Sequence, residues 1–308
     1  MRSCRTVVSV TDAKIVEGFA PFGPYETWYR VTGDLSAPMA PLVVVHGGPG
    51  CSHDYLDGLK EIANSGRAVV HYDQVGGGRS TLLPEKGADF WTVQLFLDEL
   101  DNLLEVLGIK DRYYLLGQSW GGMLGAEHAI RTPKGLQALV ISNSPASMAL
   151  WSSEAKILRS QLPPDIEAAL DRGEANDALN DPEYLAATQS YYDEHVCRVL
   201  PNPPELVRTF EFLSRDPTVY NTMNGPNEFF CVGTLRDWSV VDRVSSITAP
   251  TLLISGRHDE ATPATVQPYF DQIPDVRWEI FEESSHMPFI EEPDKYRDVV
   301  ETFLGVFD

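Results

Sequence analysis

Ser119 lies in the sequence GQSWGG (residues 117–122), directly after the apolar run 113–116. This is the pattern Gly-x-Ser-x-Gly, in which small flanking residues let the backbone turn sharply from a strand into a helix and expose the serine hydroxyl. A serine hydroxyl is a poor nucleophile at neutral pH, so the pattern implies chemistry only if the chain also supplies a base, an orienting acid and an oxyanion hole. A glycine-rich turn without chemistry is the alternative.

The sequence HGGPG at 46–50 predicts the oxyanion hole. It follows another apolar run, 42–45, and its glycines leave backbone N–H groups free to face a developing negative charge. We assign one donor to Gly48 and the other to Trp120, the residue after Ser119. A tight loop with no role in catalysis is the alternative, but it does not explain why HGGPG coincides with a nucleophile pattern downstream.

The acid and the base are expected later in the chain, in the order Ser, Asp or Glu, His. Asp259 lies in ISGRHDEATP just after the apolar run 251–255, and His286 lies in EESSHMPF just after the run 277–281. Both positions follow predicted strands, and ligands of open α/β sheets bind at the carboxyl ends of strands. These two residues are therefore our candidates for orienting acid and general base.

Other histidines and late acids compete for these roles. A lone histidine is more often structural than catalytic, and His286 alone combines a late position with a loop that follows a strand. Asp259 is less clearly distinguished, and the SGRHDEATP loop favours it. The competitors are His46, His53, His71, His128, His195 and His258, and the acids Asp275, Glu282 and Glu283.

The elements that must position these side chains follow a strand–helix rhythm. Continuous apolar runs indicate strands buried on both faces of a mostly parallel sheet. Helices are predicted between them, at 91–108 and after Ser119, so the fold class is α/β. Between 149 and 240 the rhythm changes to helical stretches with paired prolines, which predicts a helical insertion between core segments 1–148 and 241–308. The predicted strands are 42–45, 68–72, 113–116, 138–142, 251–255 and 277–281.

Composition excludes some classes of partner. Lys and Arg total 24 against 45 Asp and Glu, a net charge of −21, so nucleic acid and anionic membranes should be repelled and a cationic substrate weakly attracted. The four cysteines, Cys4, Cys51, Cys197 and Cys231, have neither metal-ligand nor disulfide spacing and are expected to be free thiols. MRSCRTVVSV at the amino terminus lacks a signal-peptide apolar stretch, which predicts a cytoplasmic protein.

With these residues assembled, the sequence resembles the α/β-hydrolase fold and, within it, the proline iminopeptidases and the similar L-amino acid amidases. The resemblance covers nearly the whole chain: HGGPG with SHDYL, YDQVGGGRS, GQSWGG, YYDEHVCR, MNGPNEF, GRHDEATP and SSHMPF. TWYRVTGD, YDQVGGGRS and GQSWGGMLG are especially similar to the amidase members. The resemblance implies a mostly parallel sheet flanked by helices, with a helical cap domain inserted.

The resemblance also implies roles for individual residues. Ser119 is the expected nucleophile, His286 the general base and acid, and Asp259 its orienting acid, while Glu228 of GPNEF and Glu260 bind the substrate's α-ammonium group. The expected reaction is acyl transfer from a small amino acid amide or short peptide with a free amino end, with no metal or organic cofactor. The alternatives are a solvated acid on a cap helix for Glu228 and, for Glu260, an acid at the start of a helix before Thr262 and Pro263.

Three competing functions are weighed against this one. A general carboxylesterase would use the same serine, acid and base without requiring a free amino group. A binding protein with a vestigial hydrolase site is disfavoured by the complete set of Ser119, Asp259 and His286. Epoxide or haloalkane hydrolysis would need a carboxylate at the position of Ser119.

Overall fold

A single eight-stranded sheet forms the centre of the computed structural model, which describes residues 13–308. Its strands are β1 Ile15–Phe22, β2 Tyr25–Thr32, β3 Leu42–Val45, β4 Val69–Tyr72, β5 Tyr113–Gln118, β6 Leu136–Ser142, β7 Thr251–Gly256 and β8 Val276–Phe281. They lie in the order β1-β2-β4-β3-β5-β6-β7-β8. β2 pairs antiparallel with β1 and β4, and all other neighbours are parallel. The predicted mostly parallel α/β fold is confirmed.

Burial on both faces explains the continuous apolar runs of the central strands. In β3, Leu42 and Val44 belong to one apolar cluster, while Val43 and Val45 belong to another. Successive side chains of a strand point to opposite faces, so every residue of β3 enters a core. A strand covered by helices on both sides therefore loses the alternation of apolar and polar residues.

Ten helices surround the sheet within the described residues. They are α1 Val93–Val106, α2 Trp120–Ile130, α3 Met148–Arg159, α4 Pro164–Ala175, α5 Pro182–His195, α6 Pro204–Arg215, α7 Thr218–Met223, α8 Pro263–Gln272, α9 Pro288–Glu291 and α10 Pro293–Leu304. A stretch of 3₁₀ helix spans His53–Ser65. α1 begins after Thr92, whose side chain accepts a hydrogen bond from the Leu95 amide at 3.2 Å, so one unpaired donor of the first turn is satisfied.

The insertion between β6 and β7 is helical, as expected, and forms a cap from α3 to α7. The prolines that punctuate it in the sequence begin helices: α4, α5 and α6 each start with proline. Proline fits the first helical turn because its missing N–H is one that the helix leaves unpaired in any case. The domain boundaries at 149 and 240 stay a prediction.

β1, β2 and the 3₁₀ segment His53–Ser65 were not predicted, and no helices were placed by the sequence where α8, α9 and α10 lie. β1 is largely exposed, and it pairs with β2 at the antiparallel edge of the sheet. A mostly exposed strand lacks the continuous apolar run by which the other strands were recognised.

Cys51, Cys197 and Cys231 are free thiols. Cys4 and the amino-terminal MRSCRTVVSV lie outside the described residues.

None of the helices described between residues 13 and 308 has the length and apolar character needed to cross a membrane.

Glycines make the turn at Ser119 possible because three chain segments meet there. A Cβ atom on Gly117 would lie 2.0 Å from the carbonyl oxygen of Gly121, and one on Gly121 would lie 2.1 Å from the carbonyl oxygen of Val45. Neither approach leaves room for a methyl group. Strand β5, helix α2 and the end of β3 can pack this closely only with glycine at both positions.

Gly121→Ala should destabilise the protein by about 3 kcal/mol, because the methyl group overpacks a backbone contact. Gly125→Ala in the same helix is the matched control. Its methyl group would lie 3.4 Å from Leu139 and 3.6 Å from Leu115, which is ordinary contact, and alanine favours a helix over glycine by about 1 kcal/mol. Urea unfolding of both variants tests this. Equal stability for the two variants would contradict the packing account.

Candidate active site

Ser119 is held in a strained backbone conformation between β5 and α2. Its φ and ψ angles are 56° and −124°, a combination that non-glycine residues rarely adopt. The Ser119 amide donates a hydrogen bond to the carbonyl of Ser142 at 3.0 Å, and its carbonyl accepts one from Gly122 at 2.8 Å. Both of its backbone polar groups are thus anchored, while the residue is partly exposed. This is the geometry of a nucleophile elbow.

His286 and Asp259 form a buried hydrogen-bonded pair. His286 Nδ1 lies 2.7 Å from Asp259 Oδ1. A carboxylate only accepts hydrogen bonds, so Nδ1 carries the proton and Nε2 is left to accept one from a nucleophile. Asp259 also accepts from the Ala261 amide at 2.8 Å and from Asn143 Nδ2 at 2.6 Å. These bonds fix the orientation of the acid and, through it, the imidazole.

The negative charge of Asp259 tunes the base. Burial disfavours a charged imidazole, but the charge and hydrogen bond of Asp259 outweigh it and raise the pKa of His286 above its ordinary value. The charge of Glu228 acts in the same direction. Because the base must be neutral to accept a proton, activity should rise with pH through a pKa above about 6.5.

A residue of the cap contacts the predicted base, His286. The carbonyl of His195, at the end of α5, accepts the amides of His286 at 3.2 Å and of Glu260 at 3.3 Å. His195 Nδ1 lies 2.9 Å from the carbonyl of His258. One cap residue therefore joins the loop after β7 to the loop after β8. A backbone carbonyl has no sequence signature, so sequence reasoning did not find this contact.

The two predicted oxyanion donors lie at the ends of β3 and β5. Neither the Gly48 nor the Trp120 amide has an acceptor within residues 13–308. Gly48 has a φ of 111°, which favours glycine. The preceding amide, Gly47, donates to Tyr55 Oη at 2.6 Å, and Tyr55 Oη donates to Gln118 Oε1 at 2.5 Å. The HGGPG loop is thereby tied to the residue before the nucleophile.

Ser119 lies where two small cavities meet. The first, about 40 Å³, contains His286, Glu228 and Glu260 and is walled by aromatic residues that include Tyr192. The second, about 10 Å³, is lined by both polar and apolar side chains: Asn224 and Glu228, and Trp120, Met123, Pro145, Met148, Trp151 and Leu235. A wider cleft of about 540 Å³ beside β8 and α10 is lined by neither serine nor histidine, so it lacks this chemistry.

Glu228 and Glu260 have no lysine or arginine partner among residues 13–308, and the nearest group that can become cationic is His286, whose Nε2 lies 3.8 Å from Glu260 Oε1. Glu260 is 1% exposed, and neither of its oxygens accepts a hydrogen bond. Glu228 Oε1 accepts from Tyr220 Oη at 2.5 Å. Burial raises the pKa of Glu228 above its usual value and that of Glu260 well above it, and the charge of Glu228 adds to the shift at Glu260. A cation bound beside the two carboxyl groups would offset this burial cost and favour their ionised forms.

All seven predicted site residues lie around these two cavities or pair directly with a residue that lines them. None of the competing histidines and acids lines either cavity. His53 pairs with Asp73 at 2.8 Å, and His128 lies 2.6 Å from Tyr113 Oη. Sequence reasoning missed Asn143 and Tyr220. Asn143 follows β6 in the turn NSP and has a φ of 52°, which asparagine tolerates better than most residues, so the turn itself was a usable signal.

The geometry agrees with comparisons to known proteins. A profile described as alpha/beta hydrolase fold matches residues 40–293. A proline iminopeptidase of Lactobacillus delbrueckii subsp. lactis is 37% identical over 94% of this chain and 98% of its own length. The chain belongs to the proline iminopeptidase family. Another member, from Lactobacillus helveticus, is 38% identical over 96% of this chain and 99% of its own length.

Solved structures of the same architecture support membership of the family. The crystal structure of proline iminopeptidase from Mycobacterium smegmatis is 52% identical with a TM-score of 0.88, covering 95% of this chain and 98% of that one. The crystal structure of VinJ is 55% identical with a TM-score of 0.94, covering 95% and 99%. The predicted family is thus confirmed.

Asp259→Asn should lower kcat by about 10⁴-fold, the loss typical when a triad carboxylate becomes an amide and the imidazole tautomer is no longer fixed. The pH at which the residual activity rises to half its maximum should also be lower than in the wild type, because the charge that raises the pKa of His286 is gone. Profiles of kcat/KM against pH give both quantities. Asp275→Asn is the matched control, since Asp275 is exposed at the opposite end of β8; a loss as large there would contradict the assignment of Asp259.

Proposed function

We propose that this protein is a serine aminopeptidase of the proline iminopeptidase type, which releases an amino-terminal L-amino acid, with proline preferred, from short peptides or amino acid amides. The observation that carries the proposal is the pair of unneutralised carboxylates, Glu228 and Glu260, in the cavity of Ser119 and His286. A free α-amino group has a pKa near 8 and is largely cationic at neutral pH. In the bound substrate, this ammonium group supplies a positive charge that pairs with the two carboxylates.

The reaction is acyl transfer in two halves. His286 Nε2 takes the proton of Ser119 Oγ as the oxygen attacks the substrate carbonyl, and the resulting oxyanion accepts hydrogen bonds from the Gly48 and Trp120 amides. His286 then gives its proton to the leaving amine, and the carbon–nitrogen bond breaks. Water, deprotonated by the same imidazole, attacks the ester at Ser119 and releases the free amino acid.

The cavities support selection for a compact first residue. With the ammonium group between Glu228 and Glu260 and the carbonyl at Ser119, the side chain of that residue is directed to the second cavity, beside Trp151 and Met148. The space there is about 10 Å³, close to that of one water molecule, so it suits only a compact side chain, and its walls must move slightly to seat a pyrrolidine ring. The cap covers the cavities, which favours short substrates.

The leaving group separates two finer possibilities. A peptidase expels the amino end of a peptide, and an L-amino acid amidase expels ammonia or a simple amine. The same ammonium site serves both, and TWYRVTGD and GQSWGGMLG resemble the amidase members, so we propose that simple amides are also substrates. A cytoplasmic location likewise stays a prediction from the sequence.

A general carboxylesterase is the second candidate, since Ser119, His286 and Asp259 would serve it equally well. The two carboxylates disfavour it. A neutral ester in the first cavity would leave Glu228 and Glu260 without compensation and would displace whatever water solvates them, a cost that a cationic substrate avoids.

Wild type should hydrolyse L-prolinamide and a Pro-initiated dipeptide but not N-acetyl-prolinamide, because acetylation removes the cationic amine. Ser119→Ala should abolish turnover and keep the thermal unfolding temperature within a few degrees. Product release measured by chromatography tests both. If the acetylated amide is cleaved equally well, the protein is a general carboxylesterase or amidase and not an aminopeptidase. Substantial turnover by pure Ser119→Ala would show that Ser119 is not the nucleophile.

Glu228→Gln and Glu260→Gln should each lower kcat/KM for L-prolinamide by about 10²-fold or more, the cost of losing one partner of a buried charge pair. Hydrolysis of p-nitrophenyl acetate, which carries no ammonium, should change by only a few fold. Glu154→Gln is the matched control: this α3 carboxylate accepts a hydrogen bond from Thr262 at 2.8 Å and lines neither cavity. Parallel losses on both substrates would mean that these carboxylates do not bind the amine.

A further inference from the structure

Gln74, in the loop after β4, joins the two halves of the oxyanion hole. It is fully buried. Its Nε2 donates to the carbonyl of His46 at 3.0 Å, and its Oε1 accepts from the indole Nε1 of Trp120 at 2.8 Å. The side-chain amide is thus hydrogen-bonded to the HGGPG loop through its nitrogen and to Trp120, the first residue of α2, through its oxygen.

The backbone of Gln74 strengthens the same connection. Its amide donates to His46 Nε2 at 2.9 Å, while His46 Nδ1 lies 2.8 Å from the carbonyl of Gly47. Burial lowers the pKa of His46, so the ring stays neutral with one nitrogen donating and the other accepting. His46 is therefore held at three points, two residues before the Gly48 amide.

This connection matters because the two donors belong to segments far apart in the chain. The Gly48 amide moves with the loop after β3, and the Trp120 amide moves with α2. An oxyanion hole works only if both N–H groups lie about 2.7–3.1 Å from the position that the oxyanion will occupy. The planar side-chain amide of Gln74 is hydrogen-bonded to both segments, so a single rigid group links them.

We propose that Gln74 is a positioning residue that sets the distance between the Gly48 and Trp120 oxyanion donors. The inference rests on the proposed acyl transfer at Ser119. Gln74 itself lines neither of the two cavities, so it acts on the reaction through His46 and Trp120. Its loss should weaken binding of the transition state while leaving binding of the ground state intact.

Gln74→Met tests this, because methionine has a similar length but lacks both polar atoms. We expect kcat for L-prolinamide to fall by about 10- to 100-fold with KM within about threefold, less than the loss of a whole donor. The Ki of L-prolinal should rise by the same factor as kcat/KM falls. Ser119 adds to this aldehyde and its oxygen becomes an oxyanion in the hole, whereas binding of L-prolinol, which forms no oxyanion, should be unchanged.

A control variant separates positioning from stability. Tyr113→Phe removes a buried hydrogen bond to His128 of 2.6 Å at the opposite end of β5 from the site. It should lower the unfolding temperature comparably and leave kcat and the affinity for L-prolinal unchanged. If Gln74→Met behaves like Tyr113→Phe, or if L-prolinal and L-prolinol lose affinity equally, the positioning role is refuted.

Gln74→Glu gives an independent test in case the methionine variant does not fold. A protonated carboxyl offers one donor and one acceptor, as the amide does, whereas the carboxylate repels the carbonyl of His46. At pH 8 the variant should bind L-prolinal about tenfold more weakly than the wild type does, with its affinity for L-prolinol unchanged. Unchanged L-prolinal affinity, or equal losses for the two compounds, contradicts the inference.

Hydrolysis of p-nitrophenyl acetate distinguishes failure of this inference from failure of the proposed function. The ester needs Ser119 and the oxyanion hole but no ammonium site. If wild type cleaves the ester and not L-prolinamide, the aminopeptidase proposal fails, and kcat for the ester still reports on Gln74. Unchanged ester kcat in Gln74→Met would then overturn the positioning role.

Discussion

The strained backbone of Ser119 is the constraint on which the rest of the molecule depends. A φ of 56° at a serine is costly in isolation, by about 1–3 kcal/mol, and persists only where the surroundings over-determine it. β5 ends directly before Ser119 and α2 begins directly after it. Close backbone packing at Gly117 and Gly121 holds both elements in place, so the backbone at Ser119 cannot relax. The parallel sheet supplies the rigidity, and its carboxyl edge brings the loops after β3, β5, β7 and β8 to the same place.

Three carboxylates near that edge differ in how their charges are supported, and their chemistry follows from the difference. Asp259 receives an amide, an asparagine and an imidazole, so its charge is stabilised inside the protein. Glu228 accepts a hydrogen bond from one tyrosine hydroxyl, and the side chain of Glu260 accepts none from residues 13–308. The first can therefore orient a base permanently, while the other two depend on a charge that arrives from outside.

The sequence predicted what local patterns specify and missed what tertiary contacts create. Runs such as LVVV and YYLL, each followed by glycine or polar turn residues, were enough to place Ser119, Asp259 and His286 at strand ends. β1 was missed because it is mostly exposed and has no such run. Gln74, Asn143 and Tyr220 lie in motifs or turns that were noticed, but their partners are 46, 116 and 8 residues away. No spacing in one sequence encodes such pairs.

The carbonyl of His195 has a consequence for how the cap and the site are connected. It accepts hydrogen bonds from the backbone amides of both His286 and Glu260, so the predicted base and the proposed ammonium-binding carboxylate share one point of attachment to the cap. A displacement of the end of α5 would strain both hydrogen bonds at once. The packing of the cap and the placement of two side chains in the cavity of Ser119 are therefore coupled through a single carbonyl oxygen.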